Sequence, residues 1–239
     1  MKIMVDTHTH TLASGHAYNT IREMAKMAAD KGLEGLALTE HAPQMPGSCH
    51  LFYFQNLKVV PRELYGVRLL MGTELNIMDE TGRVDIAQNW LEQMDIAIAS
   101  IHTPCYGKSR GKEENTQAYL NVMQNELVDI IGHPDDGRFE VDYEALVKAA
   151  KATGTLLEVN NSSLRPDGFR KDTYKNDLEM LRLCKKYDVM VTLGSDAHVD
   201  VDIANTLYSS AVLREAEFPE ELIANTSLAK LLSVLKRNR

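Results

Sequence analysis

Short apolar segments that alternate with predicted helices are the feature that most constrains the fold of this 239-residue chain. Seven of these segments read as buried strands: residues 3–5, 36–39, 67–71, 96–99, 128–131, 156–159 and 190–193. Regular alternation of strands and helices predicts βαβ units around a parallel sheet. No predicted strand is followed by GxGxxG, the fingerprint of the competing Rossmann fold. We therefore predict an α/β fold whose sheet closes into a barrel.

The segments between the predicted strands divide into helices and loops. Capping residues and helical periodicity predict helices over about 20–31, 86–93, 114–124, 142–153, 173–187, 201–214 and 227–237. Residues 42–56 and 103–112 are rich in turn-forming or charged residues and are predicted as loops. Loops as long as residues 42–56 are often functional in compact domains.

Composition and net charge limit the class of protein. With 44% hydrophobic residues and no linker-like stretch, residues 1–239 are predicted to form one domain. No apolar run approaches the roughly 20 residues of a membrane span, and the first ten residues do not resemble a signal peptide. Three scattered cysteines without CxxC spacing suit a reducing cytoplasm. A net charge of −8 argues against a general nucleic-acid binder. Taken together, the cysteines, the lack of an apolar span and the net charge predict a cytoplasmic protein without a membrane partner.

Polar side chains with metal-binding chemistry follow most of the predicted strands. His8 and His10 stand two apart after the first strand, and Asp196 and His198 repeat this spacing after the last. The remaining candidates occupy the loop after the first strand or the ends of other strands: His16, His41, Glu74, His102 and His133. The carboxyl ends of parallel strands meet at one rim of a barrel, where barrel enzymes keep their active sites. These nine side chains are therefore predicted to converge on one cleft.

The number of candidate ligands indicates how many ions the cleft would hold. Zinc usually takes about four ligands, so nine protein ligands fit two or three ions, particularly if Glu74 bridges a pair. Imidazole-rich sites suit zinc, with iron and manganese as alternatives where carboxylates and water join in. Clustered metals favour hydrolysis, and phosphate esters benefit most because their anionic oxygens ligate metals directly. The competing interpretation is a set of buried histidines that are satisfied by ordinary hydrogen bonds.

The ordered motifs of the chain resemble those of the PHP-domain (polymerase and histidinol phosphatase) family. They are Asp6-Thr-His8-Thr-His10-Thr, Thr39-Glu40-His41, Gly72-Thr-Glu74, His102, His133-Pro134 and Gly194-Ser-Asp196-Ala-His198. Further motifs make the chain similar to the bacterial stand-alone zinc phosphatase branch: His16-Ala-Tyr18, Asn115-Thr-Gln117 and Asn160-Asn-Ser-Ser163. One departure is Glu40, where the family often has Asp.

The resemblance implies a distorted (β/α)7 TIM-like barrel with three divalent metal ions, zinc foremost. It implies that one ion is held by His8, His10, Glu74 and Asp196. A second is implied at Glu74, His102 and His133, and a third at His16, His41 and His198. Relatives also suggest a homo-oligomer, although no apolar stripe in the sequence marks a surface for it.

Three functions follow from this reading. The first is a phosphatase that hydrolyses small phosphomonoesters through a metal-bound hydroxide, with Glu74 and Asp196 as catalytic residues. The second is a histidinol-phosphate phosphatase or another specialised phosphoesterase. The third, of another class, is a non-catalytic metal-binding PHP module. The group that protonates the leaving oxygen stays open between Asp196, Asp6 and a metal-bound water.

Four further residues have open roles. His50 lies in the first long loop and either touches substrate or is an ordinary loop histidine. Arg62, Lys108 and Arg110 either reach a phosphate or stay solvated. The basic carboxyl terminus, Lys236-Arg237-Asn238-Arg239, is expected to complement a helix end or to stay mobile.

Overall fold

Seven parallel strands form a nearly closed barrel. A computed structural model describes residues 2–238 of the chain. The strands are β1 (Val5–Asp6), β2 (Gly35–His41), β3 (Glu63–Leu64), β4 (Val67–Asn76), β5 (Ile96–Ser100), β6 (Ile130–Ile131), β7 (Leu156–Asn160) and β8 (Val191–Gly194). Their order is β1-β2-β4-β5-β6-β7-β8, and β3 pairs antiparallel with the first two residues of β4. The predicted barrel with seven parallel strands is confirmed.

The seam between the first and last strands closes just beyond their ends. Thr9 and Ala197 form a parallel bridge. The Asp196 amide donates to the His8 carbonyl and the His10 amide to the Ala197 carbonyl, each at 2.9 Å. Closure therefore runs through three of the nine candidate ligands, His8, His10 and Asp196, which ties the geometry of the site to that of the barrel.

The α-helices surround the sheet. They are α1 (Ile21–Asp30), α2 (Leu51–Gln55), α3 (Gln88–Leu91), α4 (Thr103–Tyr106), α5 (Lys112–Val122), α6 (Tyr143–Thr153), α7 (Thr173–Tyr187), α8 (Ser209–Glu215) and α9 (Leu228–Val234). Thr20 and Glu23 form a reciprocal capping box at α1, and Asp142 caps α6. Within residues 2–238, none of these helices has the length and apolar character needed to cross a bilayer.

Two apolar layers lie on opposite faces of the sheet. Side chains alternate along a strand, so Ile96 and Ile98 belong to the inner layer while Ala97 and Ala99 pack outward against helices. The inner layer also contains Leu231 of α9, and the Leu228 side chain lies against Gly35 at the start of β2. Helix α9 therefore covers the amino-terminal end of the barrel, which leaves the carboxyl-terminal end open for a site.

Several predicted boundaries are wrong. Short helices interrupt both predicted loops: α2 lies within residues 42–56 and α4 within residues 103–112. Pro104 sits in the first turn of α4, where its missing N–H costs no hydrogen bond. Strands β2 and β4 run further than expected, so His41 and Glu74 lie inside strands. The single-domain prediction includes residues 1 and 239, which lie outside the described residues.

Candidate metal centre

All nine predicted ligands lie at the carboxyl-terminal rim of the barrel. His8, His10 and His16 follow β1, and His41 is the last residue of β2. Glu74 lies in β4, whereas His102, His133 and the pair Asp196 and His198 follow β5, β6 and β8. The His16 ring stacks 4.9 Å from that of His41 and lies 4.7 Å from that of His198. The structure therefore brings the full predicted set together.

Glu74 is the centre of the cluster and is only 1% exposed. Its Oε1 lies 3.0 Å from His133 Nε2 and 3.1 Å from His102 Nε2. Its Oε2 lies 2.7 Å from His41 Nδ1, 3.5 Å from His8 Nε2 and 3.6 Å from His10 Nε2. The two oxygens of one carboxylate thus face two different groups of imidazoles, as a bridging ligand would.

Asp196 presents its two oxygens to different surroundings. Its Oδ1 lies 3.4 Å from His10 Nε2 and 3.7 Å from His8 Nε2. Its Oδ2 receives hydrogen bonds from Asn160 at 3.3 Å and Arg170 at 3.4 Å. The backbone φ of Asp196 is +56°, and that of His133 is +30°. Because non-glycine residues rarely adopt positive φ, the fold holds both residues in strained conformations at the site.

The cluster contains an unusual density of buried polar atoms without a hydrogen bond. Among residues 2–238, seven such side-chain atoms belong to it: His8 Nε2, His10 Nε2, His41 Nδ1, Glu74 Oε2, His102 Nε2, His133 Nδ1 and His198 Nε2. Buried polar atoms are normally satisfied, and each one left unpaired costs about 1–3 kcal/mol. A group that accepts nitrogen and oxygen lone pairs would remove this cost, so the donor set fits divalent metal ions.

Within the described residues, three ligand groups have donor atoms that all lie within 4.8 Å of one another. They are His8, His10 and Glu74; His41, Glu74 and His102; and His10, His41 and His198. The first is the set implied by the resemblance without Asp196, and the second contains His41 where the resemblance implied His133. In the third, His10 takes the place expected for His16, which instead lies beside this group through its ring contacts.

Neighbouring charges and burial shift the pKa values of side chains in the cluster. Burial acts to raise the pKa of Glu74, but His102, His8 and His41 hold it well below its usual range. Burial likewise opposes ionisation of Asp196, yet His8, His10, His198 and Arg170 keep its pKa low. Burial lowers the pKa of His10, and the neighbouring His41 and His198 lower it further. Ionised carboxylates beside a neutral imidazole are the protonation states that metal ligation requires.

A second layer of acceptors orients the imidazoles. His8 Nδ1 donates to Glu158 at 2.8 Å, and His102 Nδ1 donates to Asn76 at 2.8 Å. His198 Nδ1 donates to the carbonyl of Asp196 at 3.0 Å. Each contact leaves Nε2 as the lone-pair nitrogen that faces the cluster, which is how supporting residues tune metal ligands. Glu158 escaped sequence reasoning, although a carboxylate inside the apolar run 156–159 was an available signal.

Glu40 and Asp6 stand beside the ligand histidines but act differently. The Ser14 hydroxyl donates to Glu40 at 2.6 Å and accepts from His10 Nδ1 at 3.0 Å. Glu40 therefore orients His10 through Ser14. Asp6 accepts from the Ser195 hydroxyl at 2.5 Å and from the Ala204 amide at 2.7 Å. It joins β1 to the segment after β8 and does not contact an imidazole.

The four residues with open roles have contacts or positions away from the cluster. His50 caps α2 by accepting from the Phe52 amide at 3.2 Å. Arg62 pairs with Asp95 at 2.8 Å. Arg110 pairs with Glu80, and Lys108 is exposed. These contacts favour structural or solvated roles for all four.

A cavity of about 690 Å³ opens over the cluster. Its walls combine ligand side chains with apolar and basic residues: His16, His41, His102, His133, Asp196 and His198 together with Met45, Ile101, Pro104, Arg138, Arg165, Phe169 and Arg170. A volume in this range suits a small organic molecule. The arrangement joins a site for cations to a pocket for an organic ligand.

Comparisons with known proteins agree with this architecture. A protein of Clostridium novyi named "Probable phosphatase" is 46% identical over 236 residues, which are 99% of this chain and 96% of the relative. Another of that name, from Thermoanaerobacter sp., is 43% identical over 239 residues, covering 100% of this chain and 97% of the relative. The structure of histidinol phosphate phosphatase from Lactococcus lactis, complexed with zinc, L-histidinol and phosphate, matches with a TM-score of 0.60. It covers 92% of this chain and 95% of that one at 19% identity, a level at which the likeness concerns the fold.

A family model extends the comparison to the motifs themselves. The model described as "PHP domain" matches residues 6–164, which include His8, His10, Glu74 and His133. Asp196 and His198 lie beyond this stretch but face the same cluster. Taken with full-length relatives at more than 40% identity, this match shows that the chain belongs to the PHP domain family.

Proposed function

We propose that this protein is a metal-dependent phosphatase that hydrolyses small phosphomonoesters. The observation that carries the proposal is the convergence of nine potential ligands, with Glu74 at their centre, in which seven buried nitrogen and oxygen atoms have no hydrogen bond. Support also comes from the full-length relatives named as probable phosphatases. A site in which imidazole nitrogens and ionised carboxylates line the floor of a pocket suits hydrolysis of a phosphate ester.

The same residues would hold three divalent ions, with zinc foremost and manganese or iron as alternatives. His8, His10 and Asp196 would bind one of them and His102 with His133 a second, both shared with Glu74. The third would be bound by His16, His41 and His198, whose rings lie close together. Bound divalent ions supply acidified water and positive charge that stabilises the phosphoryl oxygens. The unpaired histidine nitrogens are what make this assignment fit the chain.

Glu74 and Asp196 have distinct proposed catalytic roles. Glu74 is surrounded by five imidazoles, and its two oxygens would each bind a different ion and so fix the distance between them. Asp196 lines the cavity, and its low pKa keeps it ionised, so it would hold an ion beside the attacking water and is a poor proton donor to the leaving group. Asp6 is buried and engaged with Ser195 and Ala204, which argues against it as the proton donor to the leaving group.

The pocket limits the class of substrate. A cavity of about 690 Å³ accommodates an organic leaving group in addition to a phosphoryl group. Met45, Ile101, Pro104 and Phe169 offer apolar contacts for that group above the ligand cluster. We take the substrate to be a small phosphorylated organic compound. The acidic net charge argues against nucleic acid, and residues 1–239 are proposed to act as one domain in the cytoplasm.

The proposal is tested by metal analysis combined with an activity panel. Purified protein would be assayed on phosphomonoesters, including histidinol phosphate, before and after chelation and after metal is restored. We expect hydrolysis that disappears on chelation and returns with the metal. Bound metal without hydrolysis of any phosphoester would contradict the proposal and favour a non-catalytic metal-binding module.

A bridging-ligand variant tests the role of Glu74. Glu74→Gln keeps the shape of the side chain but removes the charge, so we expect loss of metal and an activity reduced by more than about 100-fold. Full activity with unchanged metal content would contradict this role.

A further inference from the structure

Arg170 places a buried positive charge directly beside the candidate metal ligands. Its side chain is only 9% exposed, and it follows β7 in the loop that precedes α7. Its Nη1 lies 3.4 Å and its Nη2 3.5 Å from Asp196 Oδ2. Arg170 also lines the cavity above the cluster. A cation therefore shares one wall of the pocket with a predicted metal ligand.

The two oxygens of the Asp196 carboxylate face two different sets of side chains. Its Oδ1 faces the imidazoles of His8 and His10, and its Oδ2 faces Arg170 and Asn160. The guanidinium is thus one carboxylate away from the place where ions would bind. An anion that reached those ions from the pocket would also come within reach of Arg170.

The position of the guanidinium is fixed from behind. Its Nη1 donates to the Ser163 hydroxyl at 3.0 Å, and that hydroxyl donates to Asp135 at 3.1 Å. Asp135 is fully buried, so the chain of contacts is anchored in the protein interior. Phe169 covers the outer side, with its ring 5.3 Å from the Arg170 guanidinium carbon. A preorganised donor of this kind loses little entropy when it binds an anion.

The other arginines of the cavity are already committed to carboxylates. Arg138 makes a two-pronged contact with Asp136, from Nε at 3.0 Å and from Nη2 at 2.6 Å. Arg165 pairs with Asp167 at 3.2 Å and is 44% exposed. The Arg138 and Arg165 side chains are 28% and 44% exposed, against 9% for Arg170, whose long contacts to Asp196 leave part of its five-donor fork unused. Arg170 is the better placed of the three to meet a phosphoryl group.

We propose that Arg170 is a catalytic residue that binds the phosphoryl group of the substrate alongside the metal centre. The inference rests on the proposed phosphatase function. A planar guanidinium donates two parallel hydrogen bonds to phosphoryl oxygens and stabilises the charge that they carry during transfer. Lysine offers only a point charge and cannot reproduce this geometry.

The test measures binding of inorganic phosphate, so it does not depend on turnover. Metal-loaded wild type, Arg170→Lys and Arg170→Met would be titrated with phosphate by calorimetry after metal content has been matched. We expect phosphate affinity to fall about tenfold in Arg170→Lys and about 100-fold in Arg170→Met. Lys171→Met is the matched control because it removes an adjacent but exposed cation, and its phosphate affinity should stay within about twofold of wild type.

Contrary results are distinguishable from failure of the proposed function. If Arg170→Lys holds the wild-type metal content and binds phosphate as tightly as wild type, the inference is wrong. Because Arg170→Met leaves Asp135 and Asp196 without their cation, it is the variant at risk of misfolding, and Arg170→Lys then decides. An equal loss of phosphate affinity in Lys171→Met would assign the effect to general electrostatics and overturn a direct contact. A wild type that binds phosphate but hydrolyses no phosphoester contradicts the proposed function and leaves the phosphate titration decisive for Arg170.

Discussion

Glu158 accepts a hydrogen bond from the Nδ1 of His8 at 2.8 Å, and both side chains are fully buried. The other oxygen of the same carboxylate accepts from the His133 amide at 2.9 Å. Burial acts to lower the pKa of His8, but Glu158, Glu74 and Asp196 raise it well above its usual range. One carboxylate on β7 therefore fixes a ring and a backbone segment that carry two of the predicted ligands.

Replacing Glu158 should weaken metal binding without removing a ligand. Glu158→Gln keeps the size of the side chain but removes the charge that holds the Nδ1 proton of His8, so we expect metal affinity to fall about 10–100-fold. Competition with a chromophoric chelator measures this affinity. Glu179→Gln on the exposed side of α7 removes the same charge and should leave affinity unchanged. Equal affinity in wild type and Glu158→Gln would show that His8 needs no such support.

The predicted ligands illustrate what local patterns in a sequence can establish. His8, His10, Asp196 and His198 follow apolar runs, and in a parallel barrel such positions share a rim whatever the details of packing. Glu158 could have been recognised from the parity of its strand, since it lies two residues before Asn160 and on the same face. Positions at strand ends were therefore enough to predict which side chains meet at the rim. The alternation of side chains along β7 would also have indicated Glu158, which orients one of them.

Other features depend on contacts that no local pattern encodes. Glu40 acts on His10 through Ser14, across 26 residues of sequence. Arg170 lies in a loop without periodicity, and only the folded chain brings it to Asp196. The short helix α4 escaped prediction because four residues are too few to show a helical period. Long-range hydrogen bonds and single-turn helices are the parts of the site that required the structure.

Removing metal should lower thermal stability as well as activity. The buried imidazole nitrogens around Glu74 lack hydrogen bonds, so the apo site carries a desolvation cost that bound ions would relieve. A ligand whose free concentration is about 100 times its Kd raises the free energy of unfolding by roughly 2.7 kcal/mol. For a chain of this size, that corresponds to an increase in Tm of several degrees. Differential scanning calorimetry with chelator, and then with added zinc, measures the shift. An unchanged Tm would argue against ion binding at this cluster.

The buried acid Asp177 predicts a dependence of stability on pH. Neither of its oxygens has a hydrogen-bond partner among the described residues. Burial raises its pKa well above the usual range, and repulsion from Asp135 and Glu158 adds to this. The folded state thus keeps a proton that the unfolded state loses above about pH 4, so this carboxyl lowers the free energy of unfolding as pH rises from 4 towards the folded pKa.

Asp177→Asn should remove this dependence. We expect the variant to be more stable than wild type by about 1–3 kcal/mol at pH 8 and nearly equal to it at pH 4, because the amide carries no ionisation cost. Denaturant unfolding at both pH values measures the difference, and Glu179→Gln serves as an exposed control. A variant that is less stable than wild type at pH 8 would contradict the prediction and indicate that the Asp177 carboxyl has a compensating partner.

Arg237, in the last segment of the chain, should be a determinant of stability at the end of the barrel opposite the site. Its guanidinium pairs with the fully buried Asp129 at 2.8 Å and also donates to the carbonyls of Leu127 at 2.6 Å and Leu91 at 3.2 Å. Arg237→Ala leaves the Asp129 carboxylate buried without its cation, so we expect a loss of about 3–5 kcal/mol in the free energy of unfolding. Urea unfolding monitored by circular dichroism measures this loss, with Arg182→Ala on the exposed face of α7 as a control that should change stability by less than about 0.5 kcal/mol.

Because Asp129 lies just before β6, at the amino-terminal end of the strands, turnover per metal-loaded molecule of Arg237→Ala should stay at the wild-type level. A variant with wild-type stability would mean that Asp129 is satisfied without Arg237, and a fall in turnover at full metal content would mean that the two ends of the barrel are coupled.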